Sequence, residues 1–155
     1  TWVVNAIFLW YRGYEAAATV CVADAFVHLL IVVSMWSHPN YRLIMNMNLI
    51  ASAEILENGV AIAYTKDYDP AMQVLTSQVA DELLDMKGVQ AAFVAGRSKN
   101  ITMLSGRSMG QINVQTILEK LGGGGHLTIA GAQLETSPEE AIHQVVQIMR
   151  DMEIL

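Results

Sequence analysis

His126 closes the run LGGGGH and opens the apolar stretch LTIAGAQ, together Leu121 to Gln133. Four consecutive glycines lose much backbone entropy on ordering, so their presence implies a benefit. A left-handed helix end would explain one of them but not four. Backbone N–H groups exposed in a turn can cradle an anion, and the missing Cβ lets it approach closely. Two readings stay open here, a phosphate cradle and a structural turn. The run is neither the GxxxxGK[ST] loop nor GxGxxG. Just upstream, GRSMGQIN carries Arg107, Ser108 and Asn113. Arginine presents a planar fork matched to phosphate oxygens, although an arginine after a strand is also an ordinary solvated residue. Asn113 can cap the next helix or meet a base edge. His126 is either a phosphate contact or a histidine bonded at a strand start. Arg97 and Lys99 read as an exposed turn.

Other chemistry-bearing residues form no recognisable set. His28 lies in an apolar run, His143 on a helix face and His38 before a proline turn. Asp24 and His28 stand four apart, compatible with one helix face, but no third metal ligand is near. Cys21 is the one cysteine, which excludes an intrachain disulfide and a cysteine metal cage. No Ser/His/Asp or Cys/His arrangement is present.

The elements that must hold these residues follow from periodicity. From Asn58-Gly59, a turn, the chain reads as a strand at 60–64. Asp69-Pro70 then signals a helix start, with Met72, Leu75, Val79 and Leu83 recurring at spacings of three and four. Strands are expected at 89–96 and 101–105, joined by a hairpin at 97–100. A short helix built on Val114, Ile117, Leu118 and Leu121 runs into the glycines, and a strand follows at 126–134. Ser137-Pro138-Glu139-Glu140 is a capping box opening a last helix. The order β-α-β-β-α-β-α predicts an α/β fold, a mixed β-sheet covered by helices. Residues 1–50 read as a preceding, unusually apolar helical segment, the end of another domain, with a connecting helix over 43–56. Ala16 to Trp36 has a membrane-span length, but Asp24 near its centre argues for a buried helix, or a helix pair from a larger core.

With 155 residues, 53% apolar and 15% charged, the chain is not disordered. Its net charge of −6 argues against general affinity for duplex nucleic acid or anionic membrane. The charge is uneven. Lys87 to Leu134 holds five of the nine basic residues and one of the fifteen acidic ones, so positive charge gathers around the glycines.

RSMGQINVQTILEKLGGGGHLTIAGAQ, Arg107 to Gln133, resembles the signature of the DHH-associated domain of the DHH phosphoesterase superfamily. That signature is an Arg-Ser, an Asn opening a helix, then GGGH and an Ala-rich strand. The wording is most similar to the membrane-anchored cyclic-di-AMP phosphodiesterases of Gram-positive bacteria. The resemblance extends over 51–155 and is poor over 1–50; Ile129-Ala130-Gly131 departs from the family's Ala-Ala. It implies a substrate-binding domain of a manganese-dependent phosphodiesterase that hydrolyses cyclic-di-AMP to linear di-adenylate. The substrate contacts it implies are Arg107, Ser108, Asn113, Gly122, Gly123, Gly124, Gly125 and His126. The family's two manganese ions are held by Asp and His residues of the catalytic domain. No Asp-His-His triplet occurs here, so those ligands are expected outside this chain, which would bind no cofactor and be inactive alone. Expected partners are a cyclic dinucleotide or short nucleotide and the upstream catalytic domain, and a homodimer is compatible with the reading. The full-length protein is expected at the cytoplasmic face of the plasma membrane, this part of it being soluble. Alternatives are a short-oligonucleotide exonuclease, a nucleotide phosphatase, a non-catalytic nucleotide-binding module and a structural α/β domain.

Overall fold

The computed structural model describes residues 24, 26–30 and 39–155. The chain divides into two compact units, Thr1–Ile44 and Met45–Leu155. In the first, residues 24 and 26–30 are helical. Phe26, Val27, Leu29 and Leu30 are exposed within this chain; the rest of 16–36 lies outside the described residues. Among those described, no helix is long and apolar enough to cross a membrane.

Helix α1 spans Pro39–Ala51, beginning before the connecting helix expected at 43–56 and ending short of it. Met45 and Leu49 are core residues of the second unit. That unit is a six-stranded mixed sheet with helices on both faces. After α1 come β1 (Glu54–Ile55), a 3-10 turn at Glu57–Gly59, β2 (Val60–Tyr68), α2 (Met72–Leu84), β3 (Ala91–Ser98) and β4 (Ile101–Ser108). Then follow α3 (Val114–Glu119), β5 (Gly124–Gly125), β6 (Ile129–Leu134) and α4 (Pro138–Asp151). The strand order is β1-β2-β3-β4-β6-β5, with β2 and β3 parallel and every other pair antiparallel. The parallel pair needs a crossover, which α2 supplies.

Strand alternation divides the core in two. Phe93, Leu104, Ala130 and Ala132 face α3 and α4, with Ile117, Leu118, Ile142, Val145 and Met149 packed on them. Ala61, Ala63, Ala92 and Val94 face the other way, under Leu49 of α1 and Val79, Ala80 and Leu83 of α2. Small residues on β3 allow both helix layers to approach, so this strand is buried on both sides. Helix α2 packs on β3 and β4. It leaves the same face of β6 uncovered, and Ile129, Gly131 and Gln133 are exposed there.

Several boundaries differ from expectation. β4 continues to Ser108, which places Arg107 and Ser108 inside a strand. β2 continues to Tyr68. Asp69 does not cap α2: its Oδ1 accepts the Ala71 N–H at 2.6 Å in a tight turn, and the helix opens at Met72. Ser137 accepts the Glu140 N–H at 3.2 Å, but Glu140 turns to Gln144, so half the capping box forms.

An ion pair joins the two layers at the surface. Lys66 Nζ of β2 lies 2.6 Å from Glu139 Oε2 of α4, and the Tyr64 hydroxyl donates to Glu139 Oε1 at 3.2 Å. The hydrogen bond from Lys66, then that from Tyr64, holds the Glu139 carboxyl below its ordinary range. The same carboxylate raises the Lys66 pKa. The Glu139 contribution to stability is full above about pH 4.3 and is lost as pH falls through its lowered value. The Lys66 contribution is full below about pH 10.4 and is lost as pH rises past its raised value. Denaturation midpoints of wild type and Lys66→Met should therefore differ slightly at pH 7 and converge near pH 3. A gap that persisted in acid would contradict this assignment.

Candidate functional site

The glycine run is not one loop but three structural roles in succession. Gly122, at φ 76°, ends α3. Its N–H bonds Glu119 O at 3.0 Å and the Gly123 N–H bonds Leu118 O at 2.9 Å, the paired bonds of a Schellman end. Gly124 and Gly125 then form β5, the edge strand, in register with Gly131 and Ala130 of β6. His126 N–H bonds Ile129 O at 2.7 Å to close the hairpin.

Alternation along this ribbon separates the glycines physically. A methyl group on Gly123 would stand 2.6 Å from Ala132 Cβ and collide with Gly131 O. One on Gly125 would stand 2.9 Å from Ala130 Cβ and collide with Ile129 O. These two glycines let the ribbon lie against β6. A methyl on Gly124 would meet nothing within 4 Å. By register Gly124 is the ribbon's residue on the α2 side, beside Gly131. The backbone donors are divided too. Those of Gly122 and Gly123 are taken by α3, and that of Gly124 is directed to Gly131 by the pairing. The Gly125 N–H is turned off the sheet edge.

Next to the ribbon, on the uncovered face of β6, lies a cleft of about 510 Å³. Arg107, Ser105, Gly122, Gly123, Ile129 and Gly131 help to line it, with Gln73 and Ser77 of α2 as a wall. Arg107 is held in place. Its Nε donates to Asp81 Oδ1 at 2.7 Å and its Nη1 to Gly106 O at 3.1 Å, leaving Nη2 without a protein partner among the described residues. The Arg107 side chain is 14% exposed and that of Asp81 60%. Arg107 is in register with Ile129, which bonds His126 across the hairpin. The arginine and the histidine therefore sit on one transverse row, two strand spacings or about 10 Å apart at the backbone.

Of the eight candidates, Arg107, Gly122 and Gly123 line the cleft, while Gly124, Gly125 and His126 form the adjoining ribbon. The His126 ring is exposed and has no hydrogen-bond partner among the described residues. Ser108 is 5% exposed; its hydroxyl donates to Ile112 O at 2.6 Å and accepts the Gly110 N–H at 3.0 Å. It is a structural serine here and is not carried into the site. Asn113 Oδ1 accepts the N–H groups of Gln115 and Thr116 at 3.0 and 3.3 Å. It caps α3, with only its amide nitrogen left over.

Gln73, Ser77, Asp81, Ser105 and Gln133 are site residues that the sequence reading does not name. A signal existed for three of them. Gln73, Ser77 and Asp81 stand four apart, a polar row along one face of α2. Ser77 Oγ reaches Ser105 Oγ at 3.2 Å, and Thr76 Oγ1 reaches it at 2.9 Å. Among the described residues no three of His, Cys, Asp and Glu converge on a metal position. Asp24 and His28 contact each other, His28 Nδ1 lying 2.9 Å from Asp24 O, and no third metal ligand joins them among the described residues. What the arrangement can do is bind an anion beside a flat, side-chain-poor floor.

A model of the DHHA1 domain matches residues 57–152, and the chain belongs to that family. The cyclic-di-AMP phosphodiesterase GdpP of Geobacillus thermodenitrificans (strain NG80-2) is 39% identical over 142 residues, covering 90% of this chain and 21% of that protein. The cyclic-di-AMP phosphodiesterase PdeA of Listeria monocytogenes serotype 1/2a (strain 10403S) is 49% identical over 88 residues, 56% of this chain and 13% of its own length. The chain thus spans about a fifth or less of these curated relatives. Among solved structures, an exopolyphosphatase-related protein from Bacteroides fragilis superposes with a TM-score of 0.63 at 16% identity. It covers 74% of this chain and 36% of that one, a likeness of fold.

Proposed function

We propose that this chain is the substrate-binding domain of a phosphodiesterase that opens cyclic-di-AMP to linear di-adenylate. The observation that carries the reading is the row joining Arg107 to the His126 hairpin, beside a cleft floored by glycine. In it, the free edge of the Arg107 guanidinium, the Gly125 N–H and the His126 ring take phosphate oxygens and favour negative charge that grows on them during reaction. Asp81 and Gly106 O orient the arginine, so little rotamer freedom is lost on binding. The choice of a cyclic dinucleotide is supported by the relatives, cyclic-di-AMP phosphodiesterases, and the Arg107 guanidinium lining the cleft suits an anion. Manganese belongs to the same reading, but the described residues supply no ligand set for it. Its centre, and the hydrolytic step, are assigned to an upstream catalytic domain, with the whole protein at the cytoplasmic face of the membrane.

A structural turn without a ligand is the rival, and the packing roles of Gly122, Gly123 and Gly125 favour it. Gly124 is the residue it does not explain. Arg107→Ala, titrated with cyclic-di-AMP, should weaken binding about 10- to 100-fold, the range for losing a hydrogen bond to a charged group. Unaltered affinity would favour the turn.

A further inference from the structure

The floor of the cleft is laid in three rows across β4 and β6: Arg107 with Ile129, Ser105 with Gly131, and Met103 with Gln133. All six residues point to the α2 side. The middle row carries the smallest groups. Ser105 is buried, with its hydroxyl tied to Thr76 and Ser77. Gly131 is exposed, and even a methyl there would meet only Leu104 O at 3.4 Å. A flat, open strip of backbone therefore runs between the half-exposed Ile129 and the exposed Gln133. On the wall, Gln73 stands one turn from Ser77. Neither glutamine amide has a hydrogen-bond partner among the described residues, and nothing in the packing calls for two amides at this place.

We propose that the strip over Gly131 is a nucleobase subsite, and that Gln73 and Gln133 make it select adenine; this rests on the nucleotide-binding reading above. A purine is flat and can lie on backbone that a side chain would lift it from. The Arg107 row is two residues along the strand, about 7 Å away, so one nucleotide can reach both. A carboxamide donates and accepts at once, which matches the amino donor and ring-nitrogen acceptor of adenine. Guanine offers two acceptors on the corresponding edge and is met best by arginine or lysine. Among the described residues the cation lining the cleft is Arg107, already fixed by Asp81 in another row. No carboxylate among the described residues lines the cleft to accept the guanine N–H groups.

The test is titration of the chain with AMP, GMP and ribose 5-phosphate, followed by the NMR signals of the glutamine side-chain amides, Arg107 and His126. AMP should move the Gln73 and Gln133 amide signals and bind about tenfold more tightly than GMP. In the Gln73→Ala/Gln133→Ala double variant that ratio should fall to about one; both positions are exposed, so folding is not at stake. If ribose 5-phosphate moves Arg107 and His126 but wild type shows no AMP preference, or the double variant keeps it, the subsite is overturned while the phosphate site stands. If no probe moves any of these signals, the nucleotide-binding reading fails and the subsite with it.

Discussion

Gly124→Val should abolish binding of cyclic-di-AMP while leaving the melting temperature within about 2 °C of wild type. The second half of that expectation follows from the space around the residue. Gly124 is not among the glycines at positive φ, and a Cβ there meets no atom within 4 Å. Valine suits an extended edge position and removes freedom from the unfolded chain. The first half follows from direction. By register the new side chain projects to the α2 side next to Gly131, where a phosphate or ribose must approach the ribbon. Calorimetric titration and a thermal melt on the same sample separate the two effects. Wild-type affinity in the variant would remove the ribbon from the site. A large fall in melting temperature would show that the open space is not open.

One residue earlier the same kind of change should act on the fold. Gly123→Ala puts a methyl 2.6 Å from Ala132 Cβ and 2.9 Å from Ala132 Cα, and against Gly131 O. Two of these obstacles are backbone, so no rotamer change relieves them. The ribbon must lift from β6, which also pulls on the Gly123 N–H bond to Leu118 that closes α3. Overpacking of this kind costs typically about 1–3 kcal/mol, and loss of the helix end adds to it. Urea denaturation should show Gly123→Ala destabilised by about 2–3 kcal/mol. A midpoint equal to wild type would mean that the ribbon does not rest on β6. Neighbouring glycines thus separate binding from folding with one substitution each.

The contrast also shows what the sequence made legible. Helices α2, α3 and α4 announced themselves through periodicity, because each buries a regular stripe, and the four longer strands as short apolar runs bounded by turn residues. Gly122 as a helix end was readable, since a left-handed position follows from local chain geometry alone. Gly123 and Gly125 were not, because their reason is Ala130 and Ala132, which reach them only after the hairpin closes. Strand β5 carries no side chains and so has no alternation to detect. The extension of β4 through Arg107 and Ser108 was hidden by their polarity, although Ser108 is buried and Arg107 nearly so. The Arg107–Asp81 pair depends on α2 crossing β4, a tertiary fact. The polar row Gln73, Ser77 and Asp81 is present in the sequence but does not by itself mark a site. A row of hydrophilic residues on a helix reads as solvent-facing until something is known to stand opposite it.

The most direct test of the central claim is calorimetric titration of this chain with cyclic-di-AMP, cyclic-di-GMP and linear di-adenylate, repeated on His126→Ala. The His126 side chain is exposed and makes no hydrogen bond to the described residues, so its removal should not disturb the fold. The account predicts binding that prefers the adenine dinucleotides and falls at least tenfold in the variant. Equal binding by wild type and His126→Ala, or none by wild type, would contradict the claim that this chain itself carries a nucleotide-phosphate site.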